Sequence, residues 1–151
     1  MKDIFVEDFE SELFTTAFKK YFSEISMCVR RWDALFKQMN AEKDVTKAIM
    51  RLDGDVVVGF IMFCKVELKC LFFCEEIGFI REFWVAPEYR KLGHGKELLK
   101  IAEEYFYERG ISQTALTAVD ESKIFYIKQG YVEKTSMKCE GTNKVFAKNI
   151  T

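Results

Sequence analysis

One stretch constrains the fold more than any other: Phe83-Trp-Val-Ala-Pro-Glu-Tyr-Arg-Lys-Leu-Gly-His-Gly-Lys-Glu-Leu-Leu99. The apolar residues that lead into it read as a strand. Pro87 has no N–H to give a ladder, so the strand must stop at about Ala86. Gly93 and Gly95 let the backbone turn tightly and leave no Cβ in front of the loop. Leu98, Leu99, Ala102, Tyr105 and Phe106 then fall on one helical face, and Gly110 ends that helix. A strand, a glycine-bearing loop and a helix in direct succession call for a sheet with a helix laid on it. They also build an anion site. The N–H groups of the helix's first turn point into the loop, and the helix dipole adds to them. Arg90, Lys91 and Lys96 bring positive charge, so the loop is a candidate diphosphate cradle at the carboxyl end of a strand.

The other elements fit one domain of 151 residues, spanning 1–151, large enough to bury a core without a disulfide or metal staple. Leu13, Phe14, Ala17, Phe18, Tyr21 and Phe22 recur at helical spacing, as do Val29, Trp32, Leu35, Phe36 and Met39. Both stretches predict amphipathic helices that cover a sheet. Ile4–Val6 reads as a short leading strand. Val45–Leu52 and Val56–Cys64 read as a hairpin closed by Asp53-Gly54-Asp55, because Asp-Gly suits a turn with positive φ. Leu71–Cys74 is a short apolar segment, and Gly78–Val85, after Glu75-Glu76, reads as a central strand. Thr114–Val119 is a further strand. Asp120 is placed to cap a helix from Glu121 to about Lys128, ended by Gly130. Tyr131–Lys138 and Lys144–Lys148 form a closing hairpin across Gly141-Thr-Asn143. The alternation predicts an α/β (α+β) chain with a mixed sheet and helices on both faces.

Several function classes drop out. With 23 basic and 24 acidic residues the net charge is -1, which argues against a general nucleic-acid binder. The longest apolar run, Asp55–Cys64, is far too short to span a bilayer. The N-terminus turns acidic at once and has no signal-peptide apolar region, so no membrane or secretory role is expected. There are five cysteines, no Cys-x-x-Cys and one histidine, which leaves little for a zinc site. The thiols read as reduced packing residues of a cytoplasmic protein.

The loop's spacing speaks against two nucleotide readings. A Walker A loop needs Ser or Thr after Gly95-Lys96, where Glu97 stands, and its first glycine where Arg90 stands. A dinucleotide fingerprint needs a third glycine at Leu98. What fits is Arg-x-x-Gly-x-Gly, as Arg90-Lys-Leu-Gly93-His-Gly95. With Val85-Ala-Pro-Glu-Tyr-Arg90 before it, this resembles the acyl-CoA-binding motif of the GNAT superfamily of N-acetyltransferases. Phe125-Tyr-Ile-Lys-Gln-Gly-Tyr131 resembles that family's Phe-Tyr-x-Lys-x-Gly-Phe motif, with Tyr131 for the usual Phe. The resemblance covers about Val45 to Ile150. Two positions depart from it. Val119, followed by Asp120, stands where Asn is frequent, and Ser122 stands where Ala is usual. The Asn-dependent contact to the CoA arm is therefore absent here, or is supplied by Asp120 or Ser122.

The resemblance implies a mixed, mostly antiparallel sheet of the acyl-CoA N-acyltransferase fold and acetyl-CoA as cosubstrate. The implied reaction moves an acetyl group to an amine by direct attack, so positioning is the enzyme's main contribution. Backbone groups of Phe83 and Val85 would hold the pantetheine arm, and one N–H would polarise the thioester carbonyl. The pyrophosphate would sit on Arg90, Lys91, Leu92, Gly93, His94, Gly95 and Lys96. Tyr126 is the implied general acid toward the leaving thiolate, against a plain packing role for the ring. Glu82 is the candidate base. On a regular strand it shares a face with Ile80 and Trp84, where its pKa would rise. A salt bridge or a contact to the substrate ammonium is the equal alternative, and Glu75, Glu76 and Asp120 are weaker candidates. The acceptor is a small-molecule or peptide amine. The N-terminal helices and the Lys65–Glu76 region, with Glu67, would shape its site. A homodimer is compatible with the resemblance. Two competing classes stay open at this point: a non-catalytic acyl-CoA-binding or sensing domain, and a protein–protein module built on the aromatic N-terminal helices.

Overall fold

The structure, a computed structural model, describes residues 1–70, 73–135 and 143–150, with the side chains of 68–70 and 73 left out. The strands are β1 (Lys2–Phe5), β2 (Thr46–Asp53), β3 (Val56–Cys70), β4 (Phe73–Val85), β5 (Gln113–Ala118), β6 (Val132–Glu133) and β7 (Lys144–Asn149). The helices are α1 (Glu12–Glu24), α2 (Trp32–Ala41), α3 (His94–Tyr107) and α4 (Asp120–Lys128), and a single 3-10 turn spans Pro87–Tyr89. The seven strands lie in one sheet in the order β1-β2-β3-β4-β5-β7-β6. β4 and β5 are parallel, Gly78–Ile80 opposite Thr114–Leu116. β1 with β2, β5 with β7, and β6 with β7 are antiparallel, which makes the sheet mixed, as expected. Among the described residues no helix is long and apolar enough to cross a membrane.

The chain divides into two compact units, Met1–Met62 with Glu82–Leu98, and Phe63–Arg81 with Leu99–Thr151. A cluster of aromatic rings fills the core of the first. Phe14 and Phe18 of α1 put their rings 5.6 and 5.8 Å from Phe60 of β3, and Phe60 lies 5.8 Å from Trp84 of β4. Such pairs add to the area they bury through favourable ring geometry. In the second unit Phe63 of β3 meets Tyr105 and Phe106 of α3 at 5.0 and 5.3 Å. Phe60 and Phe63 stand an odd number of residues apart on β3, so their side chains leave the strand on opposite faces.

Gly78 is a tight point of the second unit. A Cβ there would lie 2.6 Å from Cε2 of Phe106, closer still to two other ring carbons, and Phe106 is only 1% exposed. The ring has nowhere to go, so Gly78→Ala is expected to lower unfolding stability by about 2–3 kcal/mol, within the usual range for overpacking. Urea denaturation measures it, and an unchanged midpoint would refute the packing argument.

Five expectations change. Val29 lies outside the second helix, which begins at Trp32. Leu71–Cys74 is not an element of its own: β3 runs to Cys70 and β4 begins at Phe73, with Leu71 itself outside the described residues. Glu75 and Glu76 do not break β4, because both side chains reach solvent and Glu76 pairs with Lys65 at 3.0 Å. Asp120 is not the cap of α4. Val119 holds that place without a side-chain bond, and the Asp120 carboxylate sits 3.4 Å from Lys123 and 3.7 Å from Lys144. β6 is shorter than the expected Tyr131–Lys138; Lys138, Gly141 and Thr142 lie outside the described residues. Gly54 takes φ +61 at the β2–β3 turn, as the Asp-Gly signal requires.

Candidate active site

The loop after β4 is built by backbone geometry. Ala86 N–H donates to the Val58 carbonyl at 2.8 Å, and the 3-10 turn follows at Pro87. Lys91 and Gly93 then take left-handed φ of +63 and +91. Two left-handed residues reverse the chain within a few positions, and α3 starts at His94. His94, Gly95 and Lys96 therefore form the first helical turn, while Arg90, Lys91, Leu92 and Gly93 form the loop. Glu97 N–H donates to the Gly93 carbonyl at 3.1 Å, the first bond of the helix. The N–H groups of His94, Gly95 and Lys96 precede it and have no intrahelical acceptor. A Cβ on Gly93 would meet nothing within 4 Å, so that side of Gly93 is open.

Arg90 is engaged at the base of this loop. Its Nε donates to the Val85 carbonyl at 2.9 Å, and its Nη2 donates to both Glu24 oxygens at 2.6 Å. Trp84 Nε1 donates to Glu24 as well, at 3.0 Å. The Arg90 guanidinium, helped by Trp84, holds the Glu24 carboxyl below its ordinary pKa. A phosphate that recruits Arg90 thus competes with Glu24. His94 sits beside Tyr89, ring centroids 6.0 Å apart, and its Nδ1 lies 3.2 Å from Nη1 of Arg51.

On β4, Glu82 is half-buried and accepts a hydrogen bond from the Tyr21 hydroxyl of α1. Trp84 is buried on the same face, as strand alternation predicts. Gly59 of β3 lies against this part of β4. A Cβ at Gly59 would stand 2.5 Å from the Trp84 carbonyl oxygen and 3.1 Å from the Val85 Cα. Only glycine lets the two backbones approach this closely. Phe83 and Val85 are half-buried.

Tyr126 belongs to the second unit, on α4. Its ring packs 5.1 Å from Phe125 and 6.0 Å from Tyr131. Burial pushes the Tyr126 phenol up to about 12. Tyr131, in the place of the usual Phe, is 2% exposed. Its hydroxyl pairs with Thr114 at 2.9 Å and with Glu103 at 3.0 Å, and Lys148 binds Glu103 at 2.9 Å. Burial also drives the Tyr131 phenol upward. Of the two residues that stand at the family's Asn and Ala positions or beside them, Ser122 donates to the Val119 carbonyl at 3.2 Å, and Asp120 faces Lys123 and Lys144.

Sequence reasoning missed Tyr21, Glu24, Arg51 and Gly59. The first three meet the site only through tertiary contact. Gly59 carried a signal, because a glycine inside a strand marks a close approach of backbone.

The chain matches the model of the acetyltransferase (GNAT) family over residues 3–131. No curated protein matches it in sequence. Among solved structures it is similar to a predicted acetyltransferase of Clostridium acetobutylicum with acetyl-CoA, at 12% identity and TM-score 0.78, over 93% of this chain and 95% of that one. A GNAT-family acetyltransferase of Staphylococcus aureus Mu50 aligns at 17% identity and TM-score 0.71, over 99% and 100%. The PaiA N-acetyltransferase of Thermoplasma acidophilum, solved with coenzyme A, aligns at 15% identity and TM-score 0.64, over 99% of each chain. At these identities the likeness carries the fold. The family match adds the chemistry: the chain belongs to the acetyltransferase (GNAT) family of acyl-transferring enzymes.

Proposed function

We propose that this protein is an N-acetyltransferase that moves the acetyl group of acetyl-CoA to a primary amine by direct attack in a ternary complex. The observation that carries the reading is the loop: left-handed Lys91 and Gly93 deliver the chain into α3, and nothing lies within 4 Å of where a Gly93 Cβ would stand. A helix N-terminus with nearby Lys91 and Lys96 suits a pyrophosphate. Two similar folds hold acetyl-CoA or coenzyme A. β4 runs to Val85 and leads directly into this loop, so the pantetheine arm is assigned to the Phe83–Val85 end of the strand.

In the transfer, the amine nitrogen bonds to the thioester carbon and the carbon–sulfur bond breaks. Glu82 takes the proton the ammonium must lose. The attacking nitrogen loses a second proton as the amide forms, and that proton goes to the departing thiolate, which Tyr126 holds with a hydrogen bond. The products are the amide and free CoA thiol. Exposed thiols at Cys28 and Cys74 suit a reducing, cytoplasmic setting.

A mixed panel of small and peptide amines, read by release of free thiol from acetyl-CoA, tests the proposal. Amine-dependent release is expected; binding of coenzyme A without release from any amine would favour the sensing domain instead. Gly93→Leu probes the loop. It forces a branched side chain into φ +91, at about 1–2 kcal/mol per such residue, and fills the open side of Gly93. The KM for acetyl-CoA is expected to rise at least about tenfold. An unchanged KM removes the pyrophosphate from this loop.

A further inference from the structure

A second arrangement bears on the same loop from below. Arg51 of β2 is 5% exposed, yet it is a full cation. Its Nε and Nη2 form a two-pronged pair with Asp3 of β1, at 2.7 and 2.8 Å. Its Nη1 reaches the first turn of α3, where it binds the Glu97 carboxylate and meets His94 Nδ1 at 3.2 Å. A buried guanidinium with planar, two-sided bonding fixes its partners in place. Arg51 therefore ties the edge strand, the second strand and the helix start into one unit.

Glu97 makes this tie matter. A carboxylate in the first turn of a helix is attracted by the same partial positive charge that would attract a phosphate. Left alone, Glu97 competes with an anionic ligand at α3 and repels it. Arg51 gives that carboxylate a stronger partner on the sheet side.

We propose that Arg51 is a positioning residue for acetyl-CoA, holding the Glu97 carboxylate away from the phosphate site and neutralising it. The inference rests on the reading of the Arg90–Lys96 segment as the pyrophosphate site. Arg51 touches no substrate; it acts through Glu97 and through the placement of α3.

Coenzyme A binding by titration calorimetry tests it, with melting curves as a check on folding. Arg51→Met is expected to weaken binding about tenfold, the upper range of a charge effect at a helix end. The double variant Arg51→Met/Glu97→Gln is expected to return to within about twofold of the parent, because the competing charge is gone. Glu97→Gln alone should bind coenzyme A as tightly as the parent or more tightly. A purely structural Arg51 predicts that the double variant stays as weak as the single one, and that result overturns the proposal. So does unchanged binding in Arg51→Met. Where Arg51→Met does not fold, weaker binding by Glu97→Gln alone overturns it. The underlying reading fails in a different way: the parent does not bind coenzyme A, or Gly93→Leu binds it normally, and the proposal falls with it.

Discussion

Tyr126→Phe is expected to lower kcat for acetyl transfer by about 10²–10³, with the KM for acetyl-CoA within about twofold of the parent. The variant keeps the ring, and with it the packing against Phe125 at 5.1 Å and Tyr131 at 6.0 Å. It removes only the hydroxyl. Burial disfavours the phenolate, and the phenol, pushed up to about 12, stays protonated through the whole neutral range. The donor is therefore present at every turnover, and no alkaline loss of activity from this group is expected below about pH 11. A phenol at about 12 is a weaker acid than an ordinary thiol at about 8.5. Full proton transfer to the thiolate is thus uphill. In the proposed mechanism the phenol supplies a hydrogen bond that strengthens as charge builds on sulfur, a contribution to the transition state and not to the ground state. This places the loss in kcat. Steady-state thiol release at saturating amine measures both constants. Full turnover by the variant removes Tyr126 from the chemistry and leaves it as a packing residue.

The parts of the fold that were legible in the sequence have causes within a few residues. Pro87 ends β4 because it lacks a donor, and Asp53-Gly54 closes a hairpin because the turn needs positive φ. The lengths of β3 and β4 were not legible. Charges at Lys65, Glu75 and Glu76 look like a loop, but an exposed strand position takes a charge readily, and Lys65 meets Glu76 across the ladder. The role of Asp120 illustrates the reverse error. A local capping rule favoured it, while Lys123 and Lys144 offered its carboxylate partners one turn on and on β7.

The candidate site divides along the same line. The segment Arg90–Lys96 is contiguous, so its glycines and cations could be read together. Even there the left-handed conformation of Lys91 has no residue-type signal. The partners of the site come from far along the chain: Tyr21 and Glu24 from α1, Arg51 from β2. No spacing rule joins residues that only the fold brings together. Tyr131 was readable in part. A buried tyrosine asks for a hydrogen-bond partner. The sequence could not name Thr114 and Glu103 as the partners it finds.

Glu82→Gln carries the other large expected effect, a fall in kcat at neutral pH of about 10²-fold with amine binding retained. The argument starts from the acceptor. A primary amine with a pKa like that of lysine, about 10.4, is almost wholly protonated at neutrality, and the ammonium has no lone pair for attack. Glu82 lies on β4 next to the proposed thioester position and already accepts a hydrogen bond from Tyr21, so the fold presents its carboxylate as a proton acceptor beside an aromatic wall. Glutamine keeps the size and the bond from Tyr21 but cannot take the proton. The variant must then wait for free amine, and its rate should climb about tenfold per pH unit up to the amine's own pKa. The parent, by contrast, should level off once Glu82 is ionised. Tyr21→Phe should cost less, since it removes a contact to the base and not the base. An ammonium-binding role makes the opposite split: the KM for the amine rises, kcat holds, and the shape of the pH profile does not change. The two outcomes separate on one set of pH–rate curves.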